Sequence, residues 1–279
     1  RFDILGALLS TLGVGSLIYG IISSTDLGWT SPLTIVAVAL GVALLVLLVV
    51  NEARVRQPIM PLRLFHSRVR AGAYAIRFLY VGGTMGLFFF VTQFLQEVLH
   101  WTPLQAGLGY LPMTAVNFAV ALLVPRLSRR LPLLVLLSAG LVATLVGMAW
   151  LSRVTADSTY LLDIGLPMAV VGLGQGLAFA PLTSFGIHGV KAEDGGAASG
   201  ILNTAHQLGS SLGLGVLVAL GASAVGSQAS TSIADVVTRV QVALTGSSAL
   251  LVIAIAVVGA VILPAYVTDR RTVPGAMKP

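Results

Sequence analysis

The stretch Ile164–Gly213 reads IGLPMAVVGLGQGLAFAPLTSFGIHGVKAEDGGAASGILNTAHQLGSSLG. Two apolar, glycine-rich runs flank a charged loop, Lys191-Ala192-Glu193-Asp194. The first run carries Gly172, Gly174, Gly176 and Pro181 around Gln175; the second carries Gly200, Asn203, His206 and Gln207. In water this density of glycine makes a poor helix. In a bilayer, small residues let helices approach closely, and Gly and Pro are tolerated. Polar side chains at membrane depth face a bundle interior or a cavity. The stretch therefore predicts two membrane helices that line a pathway. Gly172, Gly174, Gly176, Pro181 and Gly200 are its helix-packing positions.

Composition extends this reading to the whole chain. Of 279 residues, 56% are hydrophobic and 9% charged, against about 25% charged in soluble domains. The mean hydropathy is +0.96. With no cysteine, a disulfide framework and a thiolate metal site are excluded; no metal and no cofactor are expected. The net charge of +6 sits in loops between apolar runs, so membrane topology explains it better than nucleic acid, which is not expected as a partner. The chain opens with Arg1 and shows no signal peptide.

A spanning helix needs about 20 mostly apolar residues. Eight runs qualify, near 4–23, 32–50, 72–96, 104–125, 132–151, 160–184, 197–221 and 244–266. None alternates with period two, which excludes a β-barrel. The loops set orientation. Arg1, the 51–70 connector, the loop with Arg126, Arg129 and Arg130, Lys191, and the tail with Arg270, Arg271 and Lys278 place 13 of the 16 Lys and Arg on one side. Arg153 and Arg239 lie on the other side, and Arg77 falls inside a run. Both ends are therefore expected in the cytoplasm of a multi-pass protein in the cell membrane. Residues 222–243, rich in Ser and Ala, are expected outside and partly helical.

Pro58 and Pro61 block a continuous helix through the connector. The expected domains are two transmembrane helices over 1–50, a cytoplasmic connector over 51–70, a six-helix bundle over 71–266 and a cytoplasmic tail over 267–279. Three plus three helices of opposite orientation is the arithmetic of an inverted repeat in a secondary transporter.

Several motifs coincide. Leu95-Gln96-Glu97-Val98-Leu99, followed by Thr102-Pro103-Leu104-Gln105-Ala106-Gly107-Leu108 and Leu111-Pro112, resembles the L-Q-x-V-L-G-x-S-P-L-x-A-G-L-x-x-L-P signature of fourteen-helix drug:proton antiporters of the major facilitator superfamily. Gly172-Leu173-Gly174-Gln175-Gly176 with Pro181-Leu182 resembles that family's glycine-rich helix. Ala198 through Gly209 resembles its S-G-x-x-N-T-x-R-Q-x-G motif, Pro61 through Phe65 its connector, and Phe2 through Ala7 the start of its seventh helix. His100 stands where the family usually has Gly, and His206 where it often has Arg. The loop Pro125–Arg130 keeps only the basic character of the family's gating motif. The resemblance implies an all-α polytopic membrane protein. Its last six helices would form the C-terminal bundle, and an N-terminal six-helix half would be missing. It also implies export of drug-like small molecules across the lipid bilayer by alternating access, driven by the proton gradient.

Asn203, His206, Gln207 and Ser210 fall within about 100° of a helix. They either wall the substrate path or join helices by hydrogen bonds. Gln175 has the same two readings. Asn117, mid-run, is a further pathway candidate. Arg77, seven residues and roughly 10 Å beyond Arg70, is expected to snorkel to the surface; otherwise it faces the cavity. Glu97 and Asp163 are read as the only acids close to the runs, both at their outer ends. The proton carrier is therefore His206 or an acid of the missing half, and the second is favoured. An enzyme would need clustered catalytic side chains, and only one His lies within an apolar run. The competing reading is a truncated or regulatory membrane protein without transport of its own.

Overall fold

The computed structural model describes residues 3–55, 58, 60–225 and 232–266, and is helical without a strand among them. Helix α1 (Ile4–Leu27) starts at Asp3, whose side chain accepts a hydrogen bond from the Gly6 amide at 2.8 Å. It ends at Gly28, whose φ of 80° suits a residue without Cβ. Helix α2 (Pro32–Glu52) has Pro at its first position, where no amide hydrogen is needed. The connector holds a 3₁₀ turn, Leu62–His66. Helix α3 (Arg68–Gln93) runs on through a π turn, Phe94–Val98. Helix α4 (Pro103–Leu108) opens with a capping box, Thr102 and Gln105 satisfying each other's amides. After the break at Gly109-Tyr110 come α5 (Leu111–Leu127) and α6 (Leu133–Leu151). A π turn, Tyr160–Gly165, leads into α7 (Leu166–Gly186). Helices α8 (Gly195–Val225) and α9 (Ile233–Val257) complete the described chain, α9 being prolonged by a π turn, Val258–Ile262.

Eight helical units are long and apolar enough to cross a membrane. Two expectations need correction. The last unit begins at Ile233 rather than near 244, because Ser232 caps it by accepting from the Asp235 amide; the expected outer segment holds the end of α8, to Val225, and the start of α9. The fourth run is two helices, broken where Gly109 and Tyr110 turn. Arg1, Arg56 and the whole 267–279 tail lie outside the described residues.

Helix α3 is the axis of the bundle, packing on α7, α8 and α9. Tyr80, Leu87, Phe90 and Phe94 on it are fully buried. Exchanging α3 with α7, α5 with α8 and α6 with α9 maps the packing around α3 onto that around α7, while the α8–α9 pair has no comparable α5–α6 counterpart. The α3–α8 pair becomes α7–α5, and α3–α9 becomes α7–α6. Helices α1 and α2 pair with each other, and α1 rests on α8. Large apolar side chains such as Ile35, Val46, Phe118 and Leu122 are exposed, as a hydrocarbon solvent permits.

Glycine sets the seams. A Cβ on Gly174 would strike the Thr144 hydroxyl and backbone of α6, and one on Gly140 would lie 2.8 Å from the Ala178 amide. Gly172 and Gly176 face the other way: their Cβ atoms would press on Met113 and Val120 of α5. Gly213 meets Gly82, backbone against backbone, where α8 crosses α3. Pro181 is buried within α7. Gly200 departs from its expected role, since a Cβ there would meet nothing within 4 Å among the described residues.

The arginine-rich side is stitched by side chains. Arg63 donates to both Asp194 oxygens at 3.1 and 2.6 Å, tying the connector to the start of α8. That hydrogen bond, with the carboxylate's charge, raises the Arg63 guanidinium above its ordinary pKa. Arg70 donates to the Leu64 and His188 carbonyls, each at 2.9 Å. Beneath them Leu64, Tyr74, Ala198, Ile201 and Leu202 form a second apolar cluster. Glu97 and Asp163 are not the only acids at helix ends. Asp3 and Glu52 are buried there too, Asp3 accepting from Asn51 and Glu52 from the Met60 amide.

Candidate functional site

Polar side chains converge where α3, α5, α7 and α8 meet. On α7, Gln175 and Phe179 stand one turn apart and so share a face. The Gln175 carboxamide accepts from Asn117 Nδ2 of α5 at 3.3 Å. Gln175 is 6% exposed and lies among glycines that bring α5 close. The Phe179 ring packs at 5.7 Å from the Tyr80 ring of α3 and 6.3 Å from the His206 ring of α8. The Arg77 guanidinium lies over Phe179, 4.7 Å from the ring centroid, in cation–π contact. Tyr80 is fully buried and its hydroxyl pairs with Thr144 of α6 at 3.0 Å.

Arg77 therefore does not snorkel. Its guanidinium turns inward onto an aromatic face, and its Nε and Nη1 are buried without a hydrogen-bond partner. The reason is steric: α3 is packed on three sides, and Phe179 offers a face that the arginine stem reaches. His206 Nδ1 is likewise buried and unpartnered.

The expected polar stripe on α8 divides. His206 lies on the border with the α3 seam, half-buried beside Phe179. Asn203 and Gln207 are exposed, away from the contacts of Gly209 with α3. Gln175, Asn117, Arg77 and His206 thus come together, while Asn203 and Gln207 flank them on the open side. Arg126, Arg129 and Arg130 lie elsewhere, exposed at the end of α5, beside Leu123, Leu127 and Leu131. Phe179, Tyr80 and Thr144 escaped the sequence reading; the i, i+4 spacing from Gln175 marks Phe179, and nothing local marks Thr144.

The helical bundle that holds this polar cluster belongs with the known proteins the chain matches. Residues 4–214 match the Major Facilitator Superfamily. The chain belongs to that superfamily. It is 36% identical over 280 residues to a cephamycin export protein of Amycolatopsis lactamdurans, covering 99% of this chain and 56% of the relative. It is 37% identical over 224 residues to multidrug resistance protein Stp of Mycobacterium tuberculosis, covering 78% of this chain and 40% of that protein. It is 32% identical over 229 residues to a puromycin resistance protein of Streptomyces alboniger, covering 80% and 45%. The chain thus spans about half the length of the curated relatives it matches. Members of the Major Facilitator Superfamily are transporters rather than enzymes, and eight spanning helices make this one a multi-pass membrane protein.

Proposed function

We propose that this chain is the C-terminal portion of a fourteen-helix secondary exporter of drug-like amphipathic molecules in the cell membrane. The observation that carries the reading is the inward polar cluster Asn117, Gln175, Arg77 and His206, beside the exposed Asn203 and Gln207 of α8. Polar groups held among apolar helices mark substrate pathways. The exposed face of α8 suits apposition to the N-terminal six-helix half, against which this bundle would rock. Export by the similar proteins named above supports the direction of transport.

The proton gradient supplies the energy. The described carboxylates of this chain lie at helix ends, so the coupling acid belongs to the N-terminal half. The arginine alternation supports placing both termini, the connector and the loop at Arg126 in the cytoplasm.

The test is efflux by the full-length protein in proteoliposomes. An imposed proton gradient should drive uphill drug movement, and an uncoupler should stop it. His206→Arg should keep proton-driven transport, because the coupling acid lies in the N-terminal half; an arginine does not release its proton at physiological pH and so could not replace a carrier at this position. Transport indifferent to the gradient would reject antiport; loss of coupling in folded His206→Arg protein would move the coupling site into this half.

A further inference from the structure

Arg77 is the one feature of the cluster whose chemistry is left incomplete. A guanidinium is always charged. Stranding a charge in a low-dielectric interior without a partner is costly. Among the described residues Arg77 makes no ion pair and no hydrogen bond, and two of its nitrogens are buried. The polar ring system beside it is His206, whose Nδ1 is also buried and unpartnered. Tyr80 hydroxyl is already committed to Thr144. The described acids lie at the ends of the helices or in the loops between them, among them Asp3 and Glu52 at α1 and α2, Glu97 in the turn after α3, Asp163 in the turn before α7 and Asp194 before α8. This half of the pathway thus offers unpaired donors and positive charge, with no counter-charge for a cation.

We propose that Arg77, flanked by Phe179 and His206, binds the carboxylate or sulfonate group of an amphipathic organic anion. The inference rests on the export reading and narrows its substrate class. The guanidinium fork matches a carboxylate in shape and charge. Phe179 holds it in place from one side by cation–π contact. The Phe179 ring and the apolar walls of α3 and α7 receive the body of the compound. The Asn117–Gln175 pair, one turn along α7, offers further amide donors and acceptors.

The test uses the full-length protein in lipid nanodiscs and three probes sharing one apolar body: pyrenebutyrate, pyrenebutanol and pyrenebutylammonium. Binding is read by pyrene fluorescence, and transport of the same probes in proteoliposomes. Wild-type protein should bind pyrenebutyrate at least about tenfold more tightly than pyrenebutanol. Arg77→Gln and Arg77→Met should bring the two within about twofold, chiefly by weakening pyrenebutyrate binding. Arg77→Lys should keep part of the preference, since it keeps charge but not the fork. Each neutral variant gives up the cation–π contact with Phe179 but also removes a buried charge without an ion pair, so the melting temperature should change little. No preference in wild type, a preference surviving Arg77→Gln, or equal weakening of all three probes would overturn the proposal. The last outcome would mean that Arg77 pairs with a carboxylate of the N-terminal half. Charge-selective binding without transport of any probe would instead reject the export reading and leave the anion site standing.

Discussion

The α3–α8 and α7–α5 seams correspond when α3 is exchanged with α7 and α5 with α8, yet they use glycine differently. Where α3 meets α8, glycines stand on both helices, and Gly82 touches Gly213 through backbone alone. Where α7 meets α5, the glycines are on α7 only, and Gly172 and Gly176 press on Met113, Asn117 and Val120. Helix α7 is gripped from its opposite side as well, by α6 through Gly174. Helix α8 rests on α3, α9 and α1 and leaves its polar face open. In the most apolar part of each helix, 56% of the α7 unit is buried against 28% of the α8 unit. Similar glycine-rich, polar-dotted sequences therefore have different meanings. On α7 a polar residue is locked into the bundle; on α8 it is presented.

The largest effect expected from this contrast is at the glycines. Gly174→Val and Gly213→Val drive side-chain atoms into backbone, which overpacking data put at about 1–3 kcal/mol or more each. Both should fall well below wild type in melting temperature and membrane abundance. Gly200→Ala, in open space on α8, should be neutral or slightly stabilising. A Gly200→Ala protein as damaged as Gly174→Val would break the distinction between gripped and free faces.

Gln175→Leu comes next. It leaves Asn117 without its carboxamide partner in a buried setting, at a cost of about 1 kcal/mol. Thermal unfolding of the purified variant checks it, and the double variant with Asn117→Leu should recover part of the loss. A similar magnitude with opposite sign is expected at His100. Its φ of 56° is the only positive value for a non-glycine among the described residues. His100→Gly relieves that strain and should raise stability by about 1 kcal/mol. An unchanged or lower melting temperature would mean that the imidazole makes up the strain elsewhere.

The smallest stability effects belong to the presented face. Asn203→Ala and Gln207→Ala should change folding free energy by less than about 0.5 kcal/mol, yet alter the relative transport of different compounds. If both lower abundance and slow all compounds alike, the face is a helix junction and the contrast with α7 fails.

The same physics explains what was legible beforehand. Apolar runs of spanning length, bounded by Pro, Gly and capping residues, are local signals, and each of the eight runs falls on a spanning unit among the described residues, although the last unit starts earlier than expected. The start of α9 was missed because residues 233–243 are too polar to register as a run, while Ser232 supplies the cap. Arg63 and Arg70 were legible only as charges that set topology. Their roles as latches to Asp194 and His188 depend on partners more than a hundred residues away.

By itself the sequence determined an all-helical membrane protein of this superfamily, its spans, and the residue types from which a polar site would be built. Spanning length suffices for the spans, because it depends on the solvent a segment meets and not on its neighbours; the superfamily was read from the resemblance of motifs such as Leu95–Leu99 and Gly172–Gly176. Only the tertiary structure decided which way each side chain faces. It turned Arg77 inward onto Phe179 instead of out to the surface, and assigned Gly172 and Gly176 to one neighbour and Gly174 to another. It joined Asn117 to Gln175 and left Gly200 unpacked. The physical reason is that in hydrocarbon the helices gain little from burying apolar surface, so close fit and scarce polar partners fix their rotation, and both are properties of pairs of helices.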